Sequence, residues 1–128
     1  MRHVNMVVLV GNVGADPVLR ETNEKKIPVA NFSIATNETF KNANGGVTEQ
    51  VTWHHLVAWK NSALYAAKAI RKGDLVYAQG RLVDKPWTDK NGNKHSKKEV
   101  HLLRVSLLSA KQQREDDFEE LSDEELEG

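Results

Sequence analysis

The sequence contains no cysteine, which excludes disulfides, thiolate zinc sites and a cysteine nucleophile. It also lacks any run of roughly 18 or more apolar residues, so it predicts neither a membrane-spanning helix nor a membrane partner. Residues 1–5 lead straight into a strand-like run, without the apolar stretch and cleavage site of a secretory signal. With 128 residues, 39% of them hydrophobic, the chain can build one domain with a small core. These absences predict a cytoplasmic protein.

Net charge is also absent, but only because two opposite charges cancel. Residues 1–113 hold 17 Lys and Arg against 9 Asp and Glu, a net charge of +8, whereas residues 114–128 hold 1 Arg and 9 acids, a net charge of −8. This segregation suggests a basic body that meets a polyanion and an acidic tail with another role. A tail that only aids solubility is the alternative.

Five apolar segments have the length and composition of strands. Residues 4–10 are almost continuously apolar and β-branched and end at a glycine, as in a buried strand followed by a turn. Residues 28–37 alternate with a period of two, which is typical of a half-buried strand. The other predicted strands are residues 51–60, 74–84 and 100–108.

Turns and one helix lie between these strands. Alanine-rich residues 63–72 predict a short helix, capped by Asn61 or Ser62 and ended by Gly73. The polar, basic residues 85–99 carry Asn91-Gly92, a strong hairpin signal, and so predict a protruding β-ribbon.

The predicted order is strand, strand, strand, helix, strand, strand. An all-β OB-fold, a five-stranded Greek-key barrel with one short helix between strands 3 and 4, has this order, and its face and loops bind oligonucleotides or oligosaccharides. A generic α+β sheet is the alternative. We expect the OB-fold to span residues 1–110 and a disordered acidic C-terminal tail to span residues 111–128.

Four large aromatic residues, Phe40, Trp53, Trp59 and Trp87, stand among polar or basic neighbours. Phe40 and Trp87 are favoured as ligand contacts, because their segments look like loops. Trp53 and Trp59 share one face of a strand and are either contacts or barrel core. Aromatic platforms beside cations are what sequence-independent binding of a single strand requires, because every base has a π-face and every phosphate a charge. The candidate phosphate-binding residues are Arg2, Lys41, Lys60, Lys72, Arg81, Lys85, Lys90, Lys94, Lys97 and Lys98.

Ordered motifs along residues 4–109 resemble bacterial single-stranded DNA-binding proteins (SSB). The first is Val8-Leu9-Val10-Gly11-Asn12-Val13-Gly14-Ala15-Asp16-Pro17, followed by Trp53-His54, Arg71-Lys72-Gly73, Tyr77-Ala78-Gln79-Gly80-Arg81-Leu82 and Trp87-Thr88-Asp89. The resemblance implies single-stranded DNA as partner, base stacking on Phe40, Trp53, Trp59 and Trp87, and a nucleoid-associated role in DNA replication, recombination and repair. It further implies a homotetramer with His54 at the interface between monomers.

The acidic tail departs from this family's usual end, an acidic tip that closes in Pro-Phe. The part of the tail most similar to that tip lies inside the tail, not at its end, and lacks the proline; its residues are Asp116, Asp117, Phe118, Glu119 and Glu120. Recruitment of replication and repair proteins by the tail therefore stays open.

We also predict that the tail is autoinhibitory and competes with DNA for the basic body, because their charges are equal and opposite. Deleting residues 115–128 should then tighten DNA binding at low salt, measured by titration of a labelled oligonucleotide. Unchanged affinity would leave the tail as a solubilising segment.

Other function classes fit the residues less well. A metal-dependent nuclease would need clustered carboxylates, and the adjacent pair His54 and His55 points to opposite faces of a strand. Gly11-Asn12-Val13-Gly14 lacks the lysine and helix of a phosphate loop, so neither catalysis, a cofactor nor a metal is expected. An RNA-binding or replication-restart OB module shares the stacking logic, and a protein adaptor would leave the ribbon lysines unexplained.

Overall fold

The computed structural model describes residues 2–111. Its elements, in chain order, are β1 (Val7–Val13), β2 (Val18–Glu21), β3 (Pro28–Lys41), β4 (Val47–Trp59), α1 (Asn61–Ala69), β5 (Leu75–Thr88) and β6 (Lys94–Ser109). Within the described part of the chain, no helix is long and apolar enough to cross a bilayer.

Five of the strands close into a barrel. Antiparallel pairing joins β1 to β5, β5 to β6, β4 to β3 and β3 back to β1, while β4 and β6 pair in parallel. The short β2 adds to the edge of β3, and α1 lies between β4 and β5 in the chain. The predicted OB-fold is therefore confirmed, with β2 as an additional strand that its brief, exposed sequence did not indicate.

The barrel interior is filled from alternate positions of each strand. Phe32 and Ile34 of β3 face Leu56 of β4 and Val76 of β5, and all four are buried, with Ala66 of α1 against them. The alternation on β3 thus identified the core strand correctly.

Two long hairpins extend the barrel strands. The β3–β4 hairpin turns at Gly45 and the β5–β6 hairpin at Gly92, each with a positive φ, of 85° and 84°. The predicted ribbon around Asn91-Gly92 is therefore present. The prediction of loops around Phe40 and Trp87 is wrong, because both residues lie within strands.

The ends of α1 differ from those predicted. Lys60, rather than Asn61 or Ser62, is the N-cap residue; it has φ 57° and makes no side-chain cap hydrogen bond. The helix ends at Ala69 because Ile70 turns extended and is fully buried. Arg71 then satisfies carbonyls at the end of the helix, its Nη1 donating to the carbonyl oxygens of Ala67 in the last turn and of the C-cap residue Ile70, both at 2.7 Å.

Candidate nucleic-acid interface

One outward surface of the barrel carries the three tryptophans. Trp53 and Trp59 stand on β4 in phase with the outward positions, and their exposed fractions are 60% and 39%. Trp87 stands on β5 and is 48% exposed. Because β4 and β6 pair at Val57 and His101, and β6 and β5 pair throughout the hairpin, these odd-numbered positions face the same way. We call this surface the tryptophan face; on it neither Trp53 nor Trp59 is barrel core.

Trp53 rests on the turn after β1, at Gly14. A Cβ atom added at Gly14 would lie 2.5 Å from Cζ3 of the indole, so only glycine leaves room for the ring. Gly14, Asp16, Ser33 and His55 line a hollow beside it. The turn therefore supports a tryptophan whose remaining surface is exposed to solvent.

A second hollow lies beside Trp59. Val57 is buried at its floor, Lys85 and Pro86 stand on the β5 side, and His101 packs on the indole with ring centroids 5.9 Å apart and an interplanar angle of 48°. Asn31 lines both hollows. The two hollows are therefore adjacent and form one groove from Trp53 to Lys85.

A buried carboxylate lies within this groove. Glu99 is 3% exposed, and its oxygens lie 3.3 Å from Nε2 of His101, 3.6 Å from Nε2 of His55 and 3.8 Å from Nζ of Lys97. Burial lowers the pKa of His55, with the charges of Lys97 and Lys85 adding to the effect and Glu99 opposing it. His55 is therefore neutral near pH 7 and is not a permanent phosphate-binding cation.

The β5–β6 ribbon has two unlike faces. On the tryptophan face Lys85 lies directly opposite Lys97, and the next rung outward is Trp87 opposite His95. Like charges placed opposite each other on a sheet repel, so an anion between them is favourable. On the other face Lys98 lies opposite Asp84 and forms an ion pair with it.

Phe40 is not brought to the tryptophan face. It pairs with Thr48 in the β3–β4 hairpin and is 46% exposed, but it alternates in phase with Ile34, which points into the barrel. Lys41, one residue further, is on the side of Trp53. Base stacking on Phe40 stays a prediction, and it would use the opposite side of the hairpin.

The remaining predicted cations are exposed but scattered. Arg81 shares the tryptophan face, opposite His101. Lys94 and Lys98 occupy the other face of the ribbon. Arg2 precedes β1, Lys60 is the residue before α1, Lys72 follows α1, and Lys90 lies in the ribbon turn. Of the predicted set, Lys41, Arg81, Lys85 and Lys97 therefore lie on the side of the tryptophans, and phosphate contact by any member stays a prediction.

His54 points away from the tryptophan face. Its Nε2 lies 2.8 Å from Oγ1 of Thr36, across the β3–β4 pair, so its ring is fixed within the monomer. Its role at a subunit interface stays a prediction. The tail residues Asp116, Asp117, Phe118, Glu119 and Glu120 lie outside the described residues.

Several residues in or beside the groove are not among the predicted site residues. His55, Glu99 and His101 line it, His95 stacks on Trp87, and Asp89 bonds His95. The signal that could have found the three on β6 is their alternation at positions 95, 99 and 101, which becomes visible once the strand begins at Lys94 rather than at residue 100. Among residues 2–111, no group of three or more His, Cys, Asp or Glu side chains could hold a metal ion.

Comparisons with known proteins agree with this geometry. The model of the Single-strand binding protein family matches residues 4–108. Single-stranded DNA-binding protein 1 of Chlorobaculum tepidum is 39% identical over 111 residues, 86% of this chain and 68% of that protein. Single-stranded DNA-binding protein 1 of Xylella fastidiosa is 34% identical over 113 residues, 88% of this chain and 82% of that protein. A solved Plasmodium falciparum SSB complex with ssDNA superposes with a TM-score of 0.76 and 29% identity, covering 87% of this chain and 98% of that chain.

Proposed function

The chain belongs to the single-strand binding protein family, and we propose that it binds single-stranded DNA without regard to sequence and without catalysing a reaction on it. The observation that carries this proposal is the tryptophan face, where three exposed indoles stand beside Arg81, Lys85 and Lys97. The relatives named for single-stranded DNA binding, and the structural neighbour solved with ssDNA, support the same ligand.

The arrangement favours an unpaired strand over a duplex. A base can stack on an indole only when its own face is free, and in a duplex those faces are covered by neighbouring bases. The lysines on the same face attract the backbone of any strand, whatever its sequence. Binding therefore depends on unpaired bases for the stacking and on phosphates for the charge, and a bound strand is protected from pairing again.

The test is intrinsic tryptophan fluorescence during titration with oligo(dT), oligo(U) and duplex DNA at two salt concentrations. We expect strong quenching by oligo(dT) and little by duplex, because stacking quenches indole emission. We expect weaker binding at the higher salt, because the release of counterions from the DNA is then less favourable.

Each alternative outcome has a distinct meaning. Equal or stronger quenching by oligo(U) would indicate an RNA-binding module. No quenching by any nucleic acid would overturn the proposal, because exposed indoles on the binding face cannot remain unaffected by stacked bases.

Finer parts of the function extend this proposal. The family's assembly would be a homotetramer, and exposed apolar side chains on β1 and β6 give it surface to bury: Val8, Val10 and Leu103 are 52%, 47% and 69% exposed. Membership of the family supports a role in DNA replication, recombination and repair, and we include nucleoid association in the proposal. Contacts of the acidic tail with other proteins of those processes remain a proposal from its composition alone.

A further inference from the structure

Trp87 is covered on one side by a histidine of the same ribbon. Trp87 and His95 lie directly opposite each other on β5 and β6, and their rings stack with centroids 4.5 Å apart and an interplanar angle of 22°. The imidazole therefore occupies one face of the indole, which is still 48% exposed.

Asp89 fixes that histidine to the turn of the ribbon. Its Oδ2 lies 2.7 Å from Nε2 of His95, while its Oδ1 accepts hydrogen bonds from the backbone N–H groups of Asn91 at 2.9 Å and Asn93 at 2.8 Å. The hydrogen bond with His95 lowers the pKa of Asp89, and the backbone donors add to the effect, so the carboxylate stays ionised. One side chain thus joins the turn to the stacked rings.

The stacked pair Trp87 and His95 lies next to a pair of lysines on the same face of the ribbon. Lys85 and Lys97 lie two residues further down the same strands and on the same face, which is about 7 Å along the ribbon. A strand whose phosphate lies between these lysines would present its neighbouring base to the uncovered face of Trp87, provided that the indole keeps its orientation.

We propose that His95 and Asp89 are positioning residues that hold Trp87 so that a single face is offered to a DNA base beside the Lys85–Lys97 rung. The inference rests on the proposed single-strand binding. Since Trp87 stands on a ribbon that protrudes from the barrel, no core packing orients it. The ring of His95, held by its hydrogen bond with Asp89, orients the indole instead.

The first test replaces His95. With Trp53→Phe and Trp59→Phe, Trp87 is the only tryptophan and its quenching by acrylamide reports how much of the ring is accessible. His95→Ala should raise that quenching and, in the otherwise unchanged protein, weaken oligo(dT) binding by about 3-fold or more. His95→Phe keeps a stacking ring and should restore most of both properties.

Asp89 is tested against a matched carboxylate. Asp89→Asn keeps an oxygen for the turn but loses the anionic acceptor for His95, so it should shift acrylamide quenching and affinity in the direction of His95→Ala. Asp84→Asn removes the same charge from the other face of the same ribbon, where it breaks only the ion pair with Lys98. It should leave the accessibility of Trp87 unchanged.

A double-mutant cycle decides between positioning and direct contact. When Trp87 is already alanine, His95→Ala should have no further effect on affinity. The inference would be overturned if His95→Ala lowers oligo(dT) affinity equally with and without Trp87, or if it leaves that affinity unchanged or raises it. It would also be overturned if Trp87→Ala causes no loss of affinity in a protein that binds oligo(dT). Failure of the unchanged protein to bind oligo(dT) would instead overturn the proposed function.

Discussion

Trp53→Ala is expected to weaken oligo(dT) binding by about 1–3 kcal/mol per monomer, roughly 5- to 150-fold, because it removes one stacking platform. The indole is 60% exposed and rests on the backbone of Gly14 rather than in the core, so its truncation should cost the fold little. The measurement is a titration with labelled oligo(dT), together with thermal unfolding of the variant.

Two variants make this loss specific to stacking. Trp53→Phe keeps a flat aromatic ring and should recover most of the affinity. Leu64→Ala removes an exposed apolar side chain, 48% exposed on α1, that lines neither hollow of the groove, and should bind as the unchanged protein does. If Trp53→Ala and Leu64→Ala bind equally well, Trp53 is not a platform and the tryptophan face loses its central member.

The barrel could be predicted from the sequence because its strands bury one face. On β3 Phe32 and Ile34 face the core and the alternating residues Asn31 and Ser33 do not, so the period of two is visible in the sequence itself. The helix was also visible, but its start was not. Lys60 adopts a positive φ of 57° where β4 ends, and its N–H donates to the carbonyl oxygen of Pro28. That contact between distant segments overrides the local preference for an Asn or Ser cap.

The groove was harder to predict, because its residues lie on ribbons whose outer parts have solvent on both sides. No apolar alternation marks β6 from Lys94 to Lys98, so the sequence predicts a strand that starts only where Val100 enters the core. The aromatic residues could be identified from their polar or basic neighbours in the sequence, whereas placing Phe40 away from the tryptophans required the register of β3 against β4. The pairs Trp87–His95 and Lys85–Lys97 likewise follow from register, which is set by closure of the whole barrel.

The ribbon's unlike faces predict unequal effects from chemically equal charge changes. Lys85→Gln with Lys97→Gln removes both cations of the rung beside Trp87, whereas Lys94→Gln with Lys98→Gln removes two from the opposite face. Each phosphate contact on a single strand contributes about 0.7 to the slope of log K against log salt, so the first pair should lower that slope by about 1.4. If the variant and the unchanged protein bind equally well at 1 M salt, this change in slope corresponds to about a 25-fold lower affinity of the variant at 0.1 M salt.

The second pair is the control for net charge, because it makes the same change of two charges on the same ribbon. Lys98 is already paired with Asp84, and Lys94 stands opposite Thr88, so neither is held next to a tryptophan. We expect a slope change well below that of the first pair, measured by oligo(dT) titrations between 0.1 and 1 M salt at roughly even steps. Equal changes for both pairs would show that the ribbon acts only as a diffuse positive charge. A larger change for the second pair would place the DNA backbone on the same side of the sheet as Phe40, away from the tryptophan face.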